Sequence, residues 1–238
     1  MTAYRPGIVR NWRTVAVLAA AFLAWVFYTP GVEALLGAVF PRADELVYDR
    51  SPMWSFVLDH LGLVAAGGAI ATVIGLIAGL VVVSPWGRPF RGVLMRIAGF
   101  GQSIPSVALM AIAVPAIGYG WKPVLLALVV YSILPVMANV VAGVESVPPS
   151  VVEAGRGMGM TRAERLWQIE VPLAMPVIMN GVRMMLVILV SAATMGAVVG
   201  AGGLGVPIMS GIGGFNNAVV AYGSVPAILL ALIVDQAL

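Results

Sequence analysis

The sequence contains no cysteine, a single histidine and a single lysine. Without cysteine the chain has no disulfide, no thiolate metal site and no cysteine nucleophile. His60 has no cluster of ligating neighbours, so no metal site is expected. Lys122 is followed by Pro123, and the phosphate-binding pattern G-x-x-x-x-G-K-[ST] is absent. We therefore expect no catalytic site in this chain and no ATP hydrolysis by a P-loop of its own.

Charged residues are also scarce. They make up 10% of the 238 residues, whereas apolar residues make up 61%. Soluble domains contain about 25% charged residues, so this composition indicates an integral membrane protein. The net charge of +3 comes without a basic stripe interleaved with aromatic residues, and no nucleic-acid partner is expected.

Six hydrophobic runs are long enough to cross a bilayer, which takes about 20 helical residues. The predicted spans are 14–36, 58–83, 93–117, 123–144, 174–199 and 217–238. We divide the chain into an N-terminal anchor helix with its external loop, 1–57, and a main transmembrane domain, 58–238. The first run also resembles a signal peptide, but no small-x-small cleavage site closes it cleanly, which favours an uncleaved anchor.

The basic residues predict the orientation of these spans. With the N-terminus in the cytoplasm, nine arginines fall inside and three basic residues fall outside, which fits the positive-inside rule. The inner group is Arg5, Arg10, Arg13, Arg88, Arg91, Arg96, Arg156, Arg162 and Arg165, and the outer group is Arg42, Arg50 and Lys122. Segment 150–172 then lies in the cytoplasm.

Segment 150–172 is a polar stretch with the signals of two short helices. Ser150 precedes Glu153 by three residues, and Thr161 precedes Glu164 by three, which predicts a capping box at each helix start. Reciprocal hydrogen bonds in such boxes satisfy amides that a helix start leaves unpaired.

Gly157 and Gly159 supply the break between these two helices, because glycine adopts positive φ at the lowest cost. Pro172 is predicted to end the second helix. Apolar residues then form one stripe on each helix: Val151, Ala154 and Met158 on the first, and Ala163, Leu166 and Trp167 on the second. This is a shape suited to docking on another protein.

Polar side chains inside the predicted spans are candidates for a solute path, because lipid makes them costly unless they face protein or water. A helix interrupted by glycine and proline is tolerated where it lines a cavity. The candidates are Gln102, Ser103, Ser106, Asn139, Ser191 and Thr194. Hydrogen bonding between helices is the alternative role for each of them, and Arg183 has the further alternative of extending towards the cytoplasmic face.

The glycine patterns have simpler interpretations. Residues 200–205 match G-x-G-x-x-G, but they follow a membrane helix and lack the acidic residue of a dinucleotide site, so we expect a tight external turn. Gly75 and Gly79 permit close helix approach, and packing within the chain explains them at least as well as dimerisation.

Segment 150–172 also carries a recognisable motif. Glu153-Ala154-Gly155, three residues, Gly159, nine residues and then Ile169-Glu170-Val171-Pro172 resembles the cytoplasmic EAA loop of ABC-importer permeases, E-A-A-x3-G-x9-I-x-L-P. Gly155 and Val171 depart from that pattern by small changes. Segments 99–106, 156–162 and 200–205 further resemble the osmoprotectant subgroup, which imports glycine betaine, choline or carnitine.

The resemblance implies an all-α type I importer permease of about six transmembrane helices in a bacterial inner membrane. It assigns coupling to Glu153, Ala154, Gly155, Gly159, Ile169 and Pro172. The implied partners are ATPase subunits, which hold ATP and Mg²⁺, an extracytoplasmic substrate-binding protein, and a second permease that is either identical or a sister chain. The chain itself would bind no cofactor and would be a transport subunit surrounded by membrane lipid.

Two other classes of function remain. A permease for another small solute, such as an amino acid, would share the loop and differ in its path and binding protein. A noncatalytic membrane scaffold would need no ATPase and no such loop. Solute recognition by aromatic faces, if the solute is a cation, is expected on a partner, because the tryptophans fall near span ends.

Overall fold

The computed structural model describes residues 12–238, and within that range every regular element is helical. The all-α prediction is confirmed there, whereas Arg5 and Arg10 of the predicted topology lie outside the described residues. The helices are α1 Trp12–Phe27, α2 Thr29–Val39, α3 Met53–Val83, α4 Arg91–Ser103, α5 Ser106–Ile117, α6 Trp121–Glu145, α7 Pro149–Gly157, α8 Arg162–Arg165, α9 Val171–Ala193, α10 Gly205–Gly213 and α11 Asn217–Ala237.

Four uninterrupted helices have the length and hydropathy of membrane spans. They are α3, α6, α11 and a continuous helix from Arg162 to Val199, with mean hydropathies between 2.0 and 2.4. Predicted spans 58–83, 123–144 and 217–238 coincide with α3, α6 and α11. The number of candidate spans among the described residues rises to six when each of two sharply bent helix pairs is taken as one span.

The first predicted span, 14–36, is wrong as a single helix. α1 and α2 meet at an angle of 95°, with Tyr28 between them outside helical geometry. Pro30 lies in the first turn of α2, where its ring prevents α1 from continuing. The Tyr28 ring covers Gly31, since a β-carbon there would lie 2.5 Å from it.

The third predicted span, 93–117, is also broken, at Ile104 and Pro105. Ile104 is extended, as the residue before proline prefers, and α4 and α5 meet at 91°. Arg91 pairs with Glu145 at the end of α6, while α5 leads directly to the start of α6. The bent pair of α4 and α5 therefore runs from the level of one end of α6 to the level of the other. It is one span interrupted by a proline.

The fifth span begins earlier than the predicted residue 174, and Pro172 does not end a helix. The chain is helical from Arg162 through Val199, and Pro172 lies in the first turn of α9. Leu166–Glu170 form a π-helical turn just before it. Such a turn accommodates a proline that an ordinary α-helical ladder would exclude. The second loop helix and the fifth span are thus one element.

Glycines allow the central helices to approach closely. A β-carbon on Gly75 would lie 2.7 Å from that of Val136, and one on Gly79 would lie 2.6 Å from that of Val140. These contacts join α3 to α6 within the chain, so the intrachain interpretation is confirmed. A β-carbon on Gly181 of α9 would likewise lie 2.5 Å from that of Asn139 in α6.

The bundle has two ends. We call the one with residues 84–90 and 146–161 the loop end, and the one with residues 40–52, 118–120 and 200–216 the far end.

At the far end Gly200, Gly202 and Gly203 have φ between +76° and +80°. Gly203 packs on His60, which is fully buried with its Nε2 3.0 Å from the Val190 carbonyl oxygen. The G-x-G-x-x-G segment is therefore the predicted tight turn.

Candidate coupling site and solute path

The first helix of the loop does not begin as predicted. α7 starts at Pro149 after Pro148, and no side chain caps it. Proline suits the first turn because its missing N–H would be unpaired there anyway. Ser150 thus lies inside the first turn, and the predicted Ser150–Glu153 capping box is wrong.

The end of α7 is formed by the predicted glycine turn. Gly159 has a φ of +84°. Its N–H donates to the Arg156 carbonyl at 3.0 Å, and the Met160 N–H donates to the Gly155 carbonyl at 3.1 Å. Together these bonds make a Schellman motif, which satisfies the last carbonyls of the helix. The role of Gly159 as the turn residue is confirmed, whereas Gly157 belongs to the helix.

The second predicted capping box is present at α8. The Glu164 N–H donates to Thr161 Oγ1 at 3.3 Å, and the Thr161 N–H donates to Glu164 Oε2 at 2.7 Å. The bond from the Thr161 backbone, then that from its side chain, lowers the pKa of the exposed Glu164 carboxyl. The box fixes the start of the helix that becomes the fifth span.

Contacts between the two halves hold them at a set angle. A β-carbon on Gly155 would lie 2.7 Å from Ile169 Cδ1, so the isoleucine occupies the space that an alanine methyl would take. Arg165 Nη1 donates to the Met160 carbonyl at 2.6 Å. The missing methyl at Gly155 thus lets Ile169 pack directly against α7.

An ion pair attaches the loop to the bundle. Glu170 is only 3% exposed, and its Oε1 accepts from Arg162 Nη1 at 3.0 Å. Arg162 also donates to the Val83 carbonyl at the end of α3, at 3.4 Å. Sequence reasoning missed this pair, because residues eight apart lie outside the i+3 and i+4 spacings that join side chains along a helix.

The outer surface of the loop is apolar and exposed. Met158 is 73% exposed and Trp167 60% exposed, with Val151 and Ala154 on the same side as Met158 by helical spacing. Leu166 is half-buried and packs on the core, so the second predicted stripe keeps only Ala163 and Trp167 at the surface. Each half of the loop thus exposes one large apolar side chain, Met158 in the first and Trp167 in the second.

The six predicted coupling residues divide into two groups. Glu153, Ala154, Gly159 and Pro172 are exposed, whereas Gly155 is buried and Ile169 half-buried. The exposed group is available to a partner. The inner group, together with the turn at Gly159, sets the shape of the loop.

The structure separates the candidate path residues. Gln102 donates to the Tyr131 carbonyl at 2.9 Å, and Asn139 donates to the Pro135 carbonyl at 2.8 Å while packing on Gly181. Ser103 Oγ donates to the Gly99 carbonyl at 3.1 Å, and Ser106 lies just beyond the α4–α5 break. None of these four lines the groove that contains the remaining two candidates, and Gln102 and Asn139 bond to backbone carbonyls.

Ser191 and Thr194 do line a common groove of about 370 Å³ between α9 and α11. Ser191 Oγ donates to the Val187 carbonyl and Thr194 Oγ1 to the Ser191 carbonyl, which leaves their oxygens free to accept further bonds. Sequence reasoning missed Ser224, which adds a third hydroxyl. The other lining residues are Ile208, Ala227, Ile228, Ala231 and Leu232.

The side chain of Arg183 is held by an acidic partner and does not extend alone towards the loop end. Its Nε lies 2.9 Å and its Nη2 2.8 Å from Asp235 Oδ1 in α11. No group of three or more His, Cys, Asp or Glu side chains that could hold a metal occurs among residues 12–238.

Comparisons with known proteins agree with this architecture. The family described as binding-protein-dependent transport system inner membrane component matches residues 71–237. The choline transport system permease protein OpuBB of Bacillus subtilis is 35% identical over 173 residues, which are 70% of this chain and 80% of that protein. The osmoprotectant import permease protein OsmW of Salmonella typhimurium is 36% identical over 188 residues, 76% of this chain and 86% of that protein.

A solved structure shares the fold. A chain of the methionine ABC transporter MetNI, in an inward-facing conformation, superposes with a TM-score of 0.69 at 27% identity, covering 78% of this chain and 93% of that one. The type I importer fold and the assignment as a transport subunit are thereby confirmed. The chain is a multi-pass membrane protein that belongs to the family of binding-protein-dependent transport system inner membrane components.

Proposed function

We propose that this chain is the permease subunit of an ATP-driven importer of osmoprotectants such as glycine betaine, choline or carnitine. The observation that carries the solute class is the identity of 34–36% to permeases named for choline, carnitine and osmoprotectant transport. The sequence contains no P-loop, so in this proposal ATP and Mg²⁺ belong to a partner.

The ATPase subunit docks on the outer surface of residues 150–172. Met158 and Trp167 supply large exposed apolar side chains, whereas Glu153 lines a pocket that also contains Arg88 and Arg91 of the bundle. The capping box, the Schellman turn and the Arg162–Glu170 pair make the segment stiff. Stiffness is needed because a flexible loop would absorb a movement of the ATPase instead of transmitting it.

The loop end faces the cytoplasm, since it gathers Arg88, Arg91, Arg96, Arg156, Arg162 and Arg165. The far end then faces outwards, where an extracytoplasmic binding protein delivers the solute. A second permease, identical or a sister chain, completes the path on the open side of the α9–α11 groove.

The groove is suited to passage more than to selection. It offers three hydroxyl oxygens among aliphatic side chains, and none of its described lining residues is aromatic. Tight recognition of a quaternary ammonium group uses aromatic faces. Selection therefore belongs to the binding protein, and the groove provides a weakly polar surface over which the solute moves.

Uptake by proteoliposomes tests the proposal. The chain is reconstituted with its ATPase subunit, its sister permease where one is required, and its binding protein. Labelled glycine betaine, choline, carnitine and methionine are then offered separately with internal ATP. We expect ATP-dependent uptake of at least one of the three osmoprotectants and none of methionine.

The methionine arm examines the amino-acid alternative that the structural similarity to MetNI raises. Uptake of methionine without uptake of any osmoprotectant would overturn the proposed solute class. Uptake that continues without the ATPase subunit would overturn the proposed energy source.

A further inference from the structure

Arg183 and Asp235 join two long helices by a charge pair inside the predicted membrane region. Asp235 Oδ1 accepts a hydrogen bond from Arg183 Nε at 2.9 Å and lies 2.8 Å from Arg183 Nη2. The other carboxylate oxygen accepts from the side-chain amide of Gln236 at 3.3 Å. The Arg183 side chain is 19% exposed and that of Asp235 38% exposed, so one side of the pair is open.

The pair lies at one end of the α9–α11 groove. Ala231 and Leu232 line the groove within about one helical turn of Asp235. At the far end, the helix of Arg183 ends at Val199 and that of Asp235 begins at Asn217. With a rise of about 1.5 Å per residue, Arg183 and Asp235 both lie about 25 Å from those ends. The bilayer core is about 30 Å thick, so the pair lies near its loop-end boundary.

The three hydroxyls lie at the other end of the same groove. Thr194 and Ser224 are only about 10 Å from the far-end limits on the same count. A solute that moves along the groove from the far end would meet the hydroxyls first and the ion pair last.

Helix packing alone does not explain why Arg183 and Asp235 are charged residues. Replacing a buried ion pair by apolar residues is often neutral or stabilising, whereas charged side chains facing lipid are costly. The open side of the pair therefore faces protein or water. Separation of the pair requires that water reach it through the groove, because water can solvate both charges.

We propose that Arg183 and Asp235 form the gate at the loop end of the α9–α11 groove, closed when the two side chains are paired and open when α9 and α11 part. Arg183 belongs to the continuous helix that begins at Arg162 in the coupling segment, about 30 Å away at 1.5 Å a residue. A displacement of that segment by the ATPase thus reaches one half of the gate directly. This inference rests on the proposed function.

Thiol accessibility in the assembled complex tests the gate. Ser191→Cys places a thiol in the groove of a protein with no native cysteine. The complex is reconstituted without ATP, and an impermeant thiol reagent is supplied from the loop end. With Arg183→Gln or Asp235→Asn added, we expect labelling to accelerate about tenfold or more, a ratio typical of a shifted two-state equilibrium.

The exchanged pair, Arg183→Asp with Asp235→Arg, is expected to restore slow labelling, which a merely misfolded variant would not. Removal of the exposed Arg91–Glu145 pair by Arg91→Gln and Glu145→Gln is the matched control and is expected to leave labelling unchanged. Equal labelling rates in the parent and both single variants would overturn the gate. That result is separable from failure of the proposed function, which would appear as absence of osmoprotectant uptake by the parent complex.

Discussion

Gly159 sets the angle of the loop through its backbone alone. Its φ is +84°, and no atom beyond its two chain neighbours lies within 4 Å of the position that a β-carbon would take. A side chain there is strained without being crowded. The cost therefore depends on how well the residue type tolerates the left-handed region, which differs between asparagine and β-branched residues.

We expect Gly159→Val to impair coupling far more than Gly159→Asn. Valine in the left-handed conformation costs roughly 1–2 kcal/mol, enough to favour a different loop geometry, whereas asparagine is tolerated there. Solute transported per ATP hydrolysed is the measurement, with insertion checked by the yield of folded complex. Equal ratios in the two variants would show that the turn does not set the coupling geometry.

Glu170 is the buried charge of the loop. Glu170→Gln removes the negative charge that pairs with Arg162 and is expected to cost about 1.5–3 kcal/mol, the range for a hydrogen bond to a charged group. Thermal unfolding in detergent measures this loss. Glu164→Gln is the control at a fully exposed capping residue, and it should lower the melting temperature less. A larger effect at Glu164 would contradict the burial assigned to Glu170.

The continuous helix from Arg162 to Val199 is the element that links the loop to the path. Leu173 and Met175 are 52% and 43% exposed, so their side chains contribute little packing. Replacing both by glycine should soften the helix, since each glycine costs about 1 kcal/mol relative to alanine.

The double glycine variant is expected to hydrolyse ATP while transporting less solute per ATP. The double alanine variant removes the same side chains, retains helix propensity and should couple normally. Uptake and ATPase activity measured on the same proteoliposomes give the ratio. Normal coupling in the glycine variant would show that the loop does not act through a stiff α9.

Sequence patterns predicted where helices occur better than where a helix breaks or continues. Long apolar runs identified α3, α6 and α11 because hydrophobic length is a local property. The predicted span 14–36 runs through Pro30 without a break, yet the chain bends there by 95°. Pro172 was predicted to end a helix, yet a π turn accommodates it and the helix continues. Whether a proline breaks a helix depends on the packing around it, which a local pattern does not contain.

The candidate site was predictable to a similar extent. The turn at Gly159 and the box at Thr161 follow from short-range chemistry, and both are present. The pairing of Arg183 with Asp235 and the grouping of Ser224 with Ser191 depend on which faces of α9 and α11 meet. Residues some 30–50 positions apart give no local signal of that contact.

At the scale of the whole molecule, the loop end is predicted to face the cytoplasm. Ala163 is exposed on α8, and the chain has no native cysteine, so Ala163→Cys provides one reporter thiol. An impermeant thiol reagent should label it only after the cells are opened. Ala43→Cys, in the far-end loop, is the matched reporter and should be labelled in intact cells. The reverse pattern would invert the assigned topology.

The most direct test of the account is whether the exposed face of residues 150–172 couples a separate ATPase to transport. Trp167→Ala with Met158→Asp alters that face without touching the core, and Trp54→Ala is a matched exposed tryptophan at the far end. ATP-dependent osmoprotectant uptake and the amount of ATPase subunit retained on the purified complex are measured for each. We predict that the loop variant loses both while the Trp54 variant retains both; wild-type uptake with full ATPase retention in the loop variant would contradict the account.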